Sequence, residues 1–299
     1  MEIVLKKHKL QAKNNYTHDM LPSNRREVFF DVVKLQWRAL LLLGILVLLF
    51  AMPLQLLAWQ QDGHMLQVQE LTRDMPEEQL QAVYYQLAIS NVIRNFAGIL
   101  GWGLLGLGLA GIGRIIRQYA WEENVRVFTD FCKGVRDSGL HMTMLGILVG
   151  FLYAVSASLY QMLSYGPEYL SWVLLLQVGL SVILAVPVCC LCFAMLPVYS
   201  NSFSKHLLIS FAVYLKNPLK ILPAALCCGV IFVPMLIPVL PVHLAGGMIA
   251  SILSPFVMLA WTLYSYNLFD TYINAERYPE LIGKGILQKS DKYDWEDDK

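Results

Sequence analysis

The sequence predicts an all-α polytopic membrane bundle: six transmembrane helices arranged as three hairpins, with short cytoplasmic interfacial helices. Three observations predict it. Six apolar runs, at residues 39–59, 96–112, 141–163, 170–196, 221–241 and 248–269, carry no charged side chain in their interiors. Each is long enough, or nearly so, to cross a hydrocarbon core of about 30 Å as a helix. The 299 residues are 57% hydrophobic and 15% charged, against about 25% charged in a soluble domain. Finally, Lys and Arg are concentrated on alternate connections. The net charge of +1 matters less than that distribution.

Residues 1–38 form a polar, basic segment with Lys6, Lys7, Lys9, Lys13, Arg25, Arg26, Lys34 and Arg38. With no small-residue cleavage site after it, the first apolar run reads as a signal anchor. Asn24-x-x-Glu27 fits a capping box, which places a helix start there. Residues 60–95 form an extracytoplasmic helical loop whose only bases are Arg73 and Arg94. Asp74-x-x-Glu77 fits a second capping box, and the helix it opens is expected to run through Tyr84 and Tyr85 into span two. The connection after span two carries Arg114, Arg117, Arg126, Lys133 and Arg136, and that after span four Lys205, Lys216 and Lys220. Residues 270–299 form a tail with Arg277, Lys284, Lys289, Lys292 and Lys299. By the positive-inside rule both termini are cytoplasmic, and an even number of spans agrees. The expected location is the cell (inner) membrane, multi-pass.

The segments leading into spans one, three and five resemble one another. Without gaps, Phe131 falls on Phe29, Arg136 on Lys34 and Gly146 on Gly44, with Lys133 in the same segment; Phe211 and Lys216 repeat the aromatic-then-base pattern. Apolar residues recur there at helical spacing, as in Val28, Val32 and Leu35, so each lead-in can lie in the interface with its bases at headgroups. An internal triplication explains this; so does the common chemistry of interfacial helices.

Span two is rich in glycine, at Gly98, Gly101, Gly106, Gly108 and Gly111 among others. Gly101-Trp102-Gly103-Leu104-Leu105-Gly106 matches a dinucleotide fingerprint formally, but that mechanism needs a strand before the turn. Close helix packing is the expected role. Pro187 in span four and Pro234 and Pro238 in span five are expected helix kinks, of the kind transporters use to expose carbonyls. Cys189, Cys190, Cys192, Cys227 and Cys228 cluster in spans four and five. Thiolates at helical spacing can bind Cu(I) or zinc, yet no His or carboxylate lies near to complete a set, so packing is expected.

Spans without ionisable residues argue against a proton- or charge-coupled pump. A polar site could still be built from Gln177, Ser156, Ser158 and Thr143. No His-Glu-x-x-His or phosphate-binding loop occurs, and Ser202-x-x-Lys205 lacks its companion motifs. No catalytic residue, metal or cofactor is therefore expected, nor is nucleic acid as a partner. Expected partners are the lipid bilayer and a membrane protein or a second copy, met through the lead-in helices and the glycine face.

Residues 127–150, with Phe128, Asp130-Phe131-x-Lys133-Gly134 and Gly146, resemble the YesL-like family of bacterial multi-spanning proteins, although this chain is longer at its N-terminus and over residues 60–95. The resemblance implies a membrane protein without an established activity, often encoded beside sugar-uptake systems. It offers no catalytic residue to carry over. The leading expectation is a non-enzymatic scaffold or accessory subunit. The alternative is a transporter or channel for an uncharged or lipid-like substrate.

Overall fold

The computed structural model describes residues 22–163, 165, 167, 169–236 and 240–287. Among these every regular element is helical, and six helices are long and apolar enough to cross a membrane. The chain is a multi-pass α-helical membrane protein. The Leu287 N–H donates to the Pro22 carbonyl at 2.9 Å, so the first and last described segments lie at one end of the bundle, here the basic end. The other is the distal end.

Helix α1, Arg25–Leu71, starts at the capping box predicted for it. Asn24 Oδ1 accepts from the Glu27 N–H at 3.0 Å, and the Glu27 carboxylate accepts from the Ser23 N–H at 2.7 Å. These bonds satisfy donors that a helix start leaves bare. Gln36 departs from helical geometry (φ −120°, ψ 17°) and divides the lead-in from the span. The helix then continues past the apolar run, and its 47 residues reach about 70 Å. Helix α2, Glu77–Ala120, returns from the distal end. The second capping box does not form. Pro76 occupies the N-cap position with extended geometry (φ −60°, ψ 146°) and no side-chain bond caps the helix, so Asp74 lies outside it.

Helix α2 is the central element. A Cβ at Gly106 would collide with the Met142 carbonyl of α3 (Val127–Met162), and one at Gly146 with the Trp102 carbonyl. On the other side Gly101 meets Leu54 and Gly108 the Phe50 ring, both of α1, while Gly111 sits under the Phe131 ring. Gly98 makes only ordinary contact with Leu57, at 3.7 Å. Apolar burial does not drive helices together in lipid, and small residues that let backbones approach replace it. Gly44 marks the matching crossing of α1 with α8 (Leu240–Phe269), against the Ile252 carbonyl. The aligned Gly44 and Gly146 are therefore both backbone crossings. Gly229 of the third hairpin has nothing within 4 Å.

The three lead-ins differ. The first bends at Gln36 and the second runs straight into α3. The third is a separate helix, α6 (Phe203–Lys216), which ends at Asn217. Pro218 then opens α7, Pro218–Gly229, because a residue without an N–H starts a helix better than it continues one.

Span four is α4 (Tyr169–Leu180), a π segment (Ser181–Ala185) and α5 (Val186–Met195). Pro187 removes the N–H that would bond the Ile183 carbonyl. The Tyr214 hydroxyl of α6 donates to that carbonyl instead. In span five Pro234 lies within a 3₁₀ stretch, Val230–Leu236; Pro238 lies outside the described residues. Pro53 in α1, Pro223 in α7 and Pro255 in α8 also sit inside spans. Ser254 Oγ donates at 2.8 Å to the Ser251 carbonyl that Pro255 leaves bare.

The main apolar core lies toward the basic end. Val28 and Val32 of α1, Ile112, Ile115 and Ile116 of α2, Leu191 and Met195 of α5, and Phe269 of α8 are buried together. Beyond α8 a π turn (Asp270–Asn274), α9 (Ala275–Arg277) and a 3₁₀ turn (Pro279–Leu281) lead to residues 282–287, which fold back. Gly285, at φ +87°, lies against the Ala120 carbonyl. The start of the tail is thus part of the packed end.

Candidate functional site at the basic end

A cavity with a volume of about 190 Å³ opens at the rim of the basic end. It is walled by α6, the end of α5 with the turn after it, and the π turn and α9 that finish the chain's last long helix. Met195, Ile209, Val213 and Ile273 give it an apolar floor, and Tyr199, Tyr272 and Tyr278 stand around it. Lys216, Asn201, Glu276 and Arg277 supply its polar rim.

Its walls are fixed by a buried polar chain. The Tyr199 hydroxyl donates to Asn274 Oδ1 at 2.7 Å, and Asn274 Nδ2 donates to Asp270 Oδ1 at 2.8 Å. Asp270 Oδ2 pairs with Arg25 Nη2 at 2.6 Å, the two side chains being 4% (Arg25) and 17% (Asp270) exposed. Arg25 also donates to Asn267 Oδ1 at 3.1 Å and to the Lys284 carbonyl at 3.3 Å. The Tyr199, Asn274, Asp270 and Arg25 side chains of this network are all hydrogen-bonded, as burial requires. Burial pushes the Tyr199 phenol well above its ordinary range, so it stays a neutral donor.

Opposite Tyr199, the Lys216 ammonium lies 5.0 Å from the centroid of the Tyr272 ring, and Asn217 Nδ2 donates to the Tyr272 hydroxyl. Behind the cleft, His206 is fully buried, with Nε2 3.1 Å from the Tyr199 carbonyl and Nδ1 3.3 Å from that of Ser202. Burial, with the nearby His141 adding to it, lowers its pKa to about 4, so the ring is neutral at pH 7. A neutral ring donates through one nitrogen only.

Of the residues singled out in the sequence, Lys216 alone lines this cleft. Phe211 is exposed on a neighbouring face of α6, and Lys34 and Arg136 are exposed at the same end. Lys133 pairs with Asp130 at 3.7 Å. Phe29 is half-buried against the core. Phe131 is not an interfacial anchor of the simple kind expected: its ring packs over Gly111 and against Phe50 at 6.0 Å. The polar residues of the spans do not converge. Ser156 bonds Gln177 at 2.7 Å, tying α3 to α4, whereas Ser158 meets Asn95 of α2. Among the described residues no three His, Cys, Asp or Glu side chains gather as a metal site, and all six cysteines are free thiols.

Tyr199, Asn201, Tyr272, Glu276 and Tyr278 were missed, and Arg277 was read only as one of the tail's bases. They come from two segments far apart in the chain, and neither carries a spacing that points to the other. The one available signal was the run of tyrosines at the ends of spans, a usual mark of a membrane interface. No family model, curated protein or solved structure matches this chain.

Proposed function

We propose that the chain is a non-enzymatic scaffold or accessory subunit of a cell-membrane system, with its basic end in the cytoplasm. Kinship with the YesL-like family, and through it a sugar-uptake system, belongs to the same reading. The observation that carries the proposal is the close packing of α1 and α3 onto α2. The α2 glycines are closed over by side chains and backbone of α1 and α3. That packing also moves the partner surface. The glycine face is used within the chain, so a partner meets the exposed lead-in side chains instead, such as Leu35, Trp37, Phe128 and Leu140.

A pull-down of tagged full-length protein in mild detergent, read by mass spectrometry, tests this. A stoichiometric membrane-protein partner, lost on Phe128→Ala or Trp37→Ala, is the expected result. Repeated recovery without any partner sinks the scaffold. It would favour a carrier for an uncharged or lipid-like substrate, a reading that draws on the π segment of span four and the 3₁₀ stretch of span five. A reporter fused after Lys299 is expected to read cytoplasm.

A further inference from the structure

The cleft at the basic end has chemistry that scaffolding does not use. Six bases at this end are matched to acids: Arg25 with Asp270, Arg114 and Arg136 with Asp137, Arg117 and Lys284 with Glu123, and Lys133 with Asp130. Lys216 and Arg277 both line the cavity, yet no ion pair joins either of them to Glu276 or to any other acid among the described residues. The rim therefore holds two cations against one carboxylate, over an apolar floor. That combination suits an anion with an apolar extension.

Helix α6 shows where the extension goes. Leu208, Phe211 and Leu215 form one stripe and are 68%, 36% and 57% exposed. His206, Ser210 and Tyr214 form a second face, buried against the bundle. Ile209, Ala212 and Lys216 repeat at the same spacing between these two and face the cleft. An exposed apolar stripe on a short helix joining two spans lies in the membrane interface. Going round the helix, the cleft is bounded on one side by that lipid-facing stripe. Lys216, in the last turn, sits where a headgroup would reach.

We propose that this cleft binds a phosphate-bearing headgroup, with the phosphate held by Lys216 and Arg277 and hydrogen-bonded by Asn201. The adjoining stripe favours an anionic phospholipid over a soluble phosphoester as its source. The site does not depend on the scaffold reading, and its test does not require a partner protein.

Native mass spectrometry of the full-length protein, with added phosphatidylglycerol or phosphatidylcholine, measures retained lipid. Phosphatidylglycerol is expected to be retained in preference, and Lys216→Gln and Arg277→Gln each to lower that retention about fivefold, as for ~1 kcal/mol per interfacial base. Glu276→Gln is expected to raise it. Ala212→Trp, which fills the cleft without touching a charge, must also lower it, while Lys34→Gln, outside the cleft, leaves it unchanged. Both rim bases are exposed, so an unaltered melting temperature serves as the folding control. Glycerol 3-phosphate separates the sources. If it displaces the lipid, or shifts the melting temperature of wild type but not of Lys216→Gln, the phosphate site stands with a soluble ligand. Retention indifferent to Lys216, Arg277 and Ala212, or a fall on Glu276→Gln, overturns the proposal.

Discussion

The two ends of this bundle are held together by different physics. At the basic end α1, α2, α5, α6 and α8 share a buried aliphatic core, matched charges and a folded-back tail. At the distal end α4 has no buried residue, and its ties to α3 are hydrogen bonds from Ser156 and Gln177. Where segments leave the bilayer, burial of apolar surface from water drives assembly. Inside it the surrounding lipid is as apolar as the side chains, so close backbone approach and polar ties decide. Stability should therefore be concentrated toward the basic end.

The largest test breaks the basic end. Arg25→Met leaves Asp270 buried without its partner and is expected to cost about 3–5 kcal/mol in detergent unfolding. The double variant Arg25→Met with Asp270→Asn should recover much of that. If the single variant is as stable as wild type, the ion pair does not organise this end.

Next, the same substitution on two glycines compares packed and open regions. Gly106→Val drives a side chain into the Met142 backbone, at about 2–3 kcal/mol, with a lower melting temperature. Gly179→Val, in α4, meets nothing within 4 Å, and its effect should fall within roughly 0.5 kcal/mol. Equal effects would remove the distinction between the ends.

The smallest effect is on pH. The His206 pKa is depressed to about 4, so between there and its ordinary value of about 6.5 the unfolded chain binds the extra proton. Its contribution is complete above pH 6.5 and is lost as pH falls toward 4. Wild type should lose about 1–2 kcal/mol between pH 7 and pH 5. His206→Gln should flatten that slope, and an unchanged slope would place the titration elsewhere.

Local rules were legible and long-range ones were not. The six spans and the cap at Asn24 depend on residues close in sequence, and the structure holds them where the pattern put them. Asp74-x-x-Glu77 satisfied the same pattern, but Pro76 claimed the N-cap position first. The helical extension of α1 through Gln60–Leu71 carries too little apolar character to read as part of a span, and follows from its antiparallel partner α2. Pro53 and Pro255 passed unnoticed because the apolar runs around them continue unbroken. The cleft needed the last helix to come back beside α6, and only the folded chain sets Tyr199 next to Asn274.

The bond from Tyr214 to Ile183 joins α6, the short helix between spans four and five, to the bend of span four. In hydrocarbon a bare carbonyl is costly, so the two cannot be repositioned separately at no cost. If α6 rolls or slides while span four stays still, the hydroxyl leaves and an acceptor is stranded; if the bend travels with it, the bond survives. A Tyr214→Phe protein would be one in which the connecting helix and the span it braces are uncoupled.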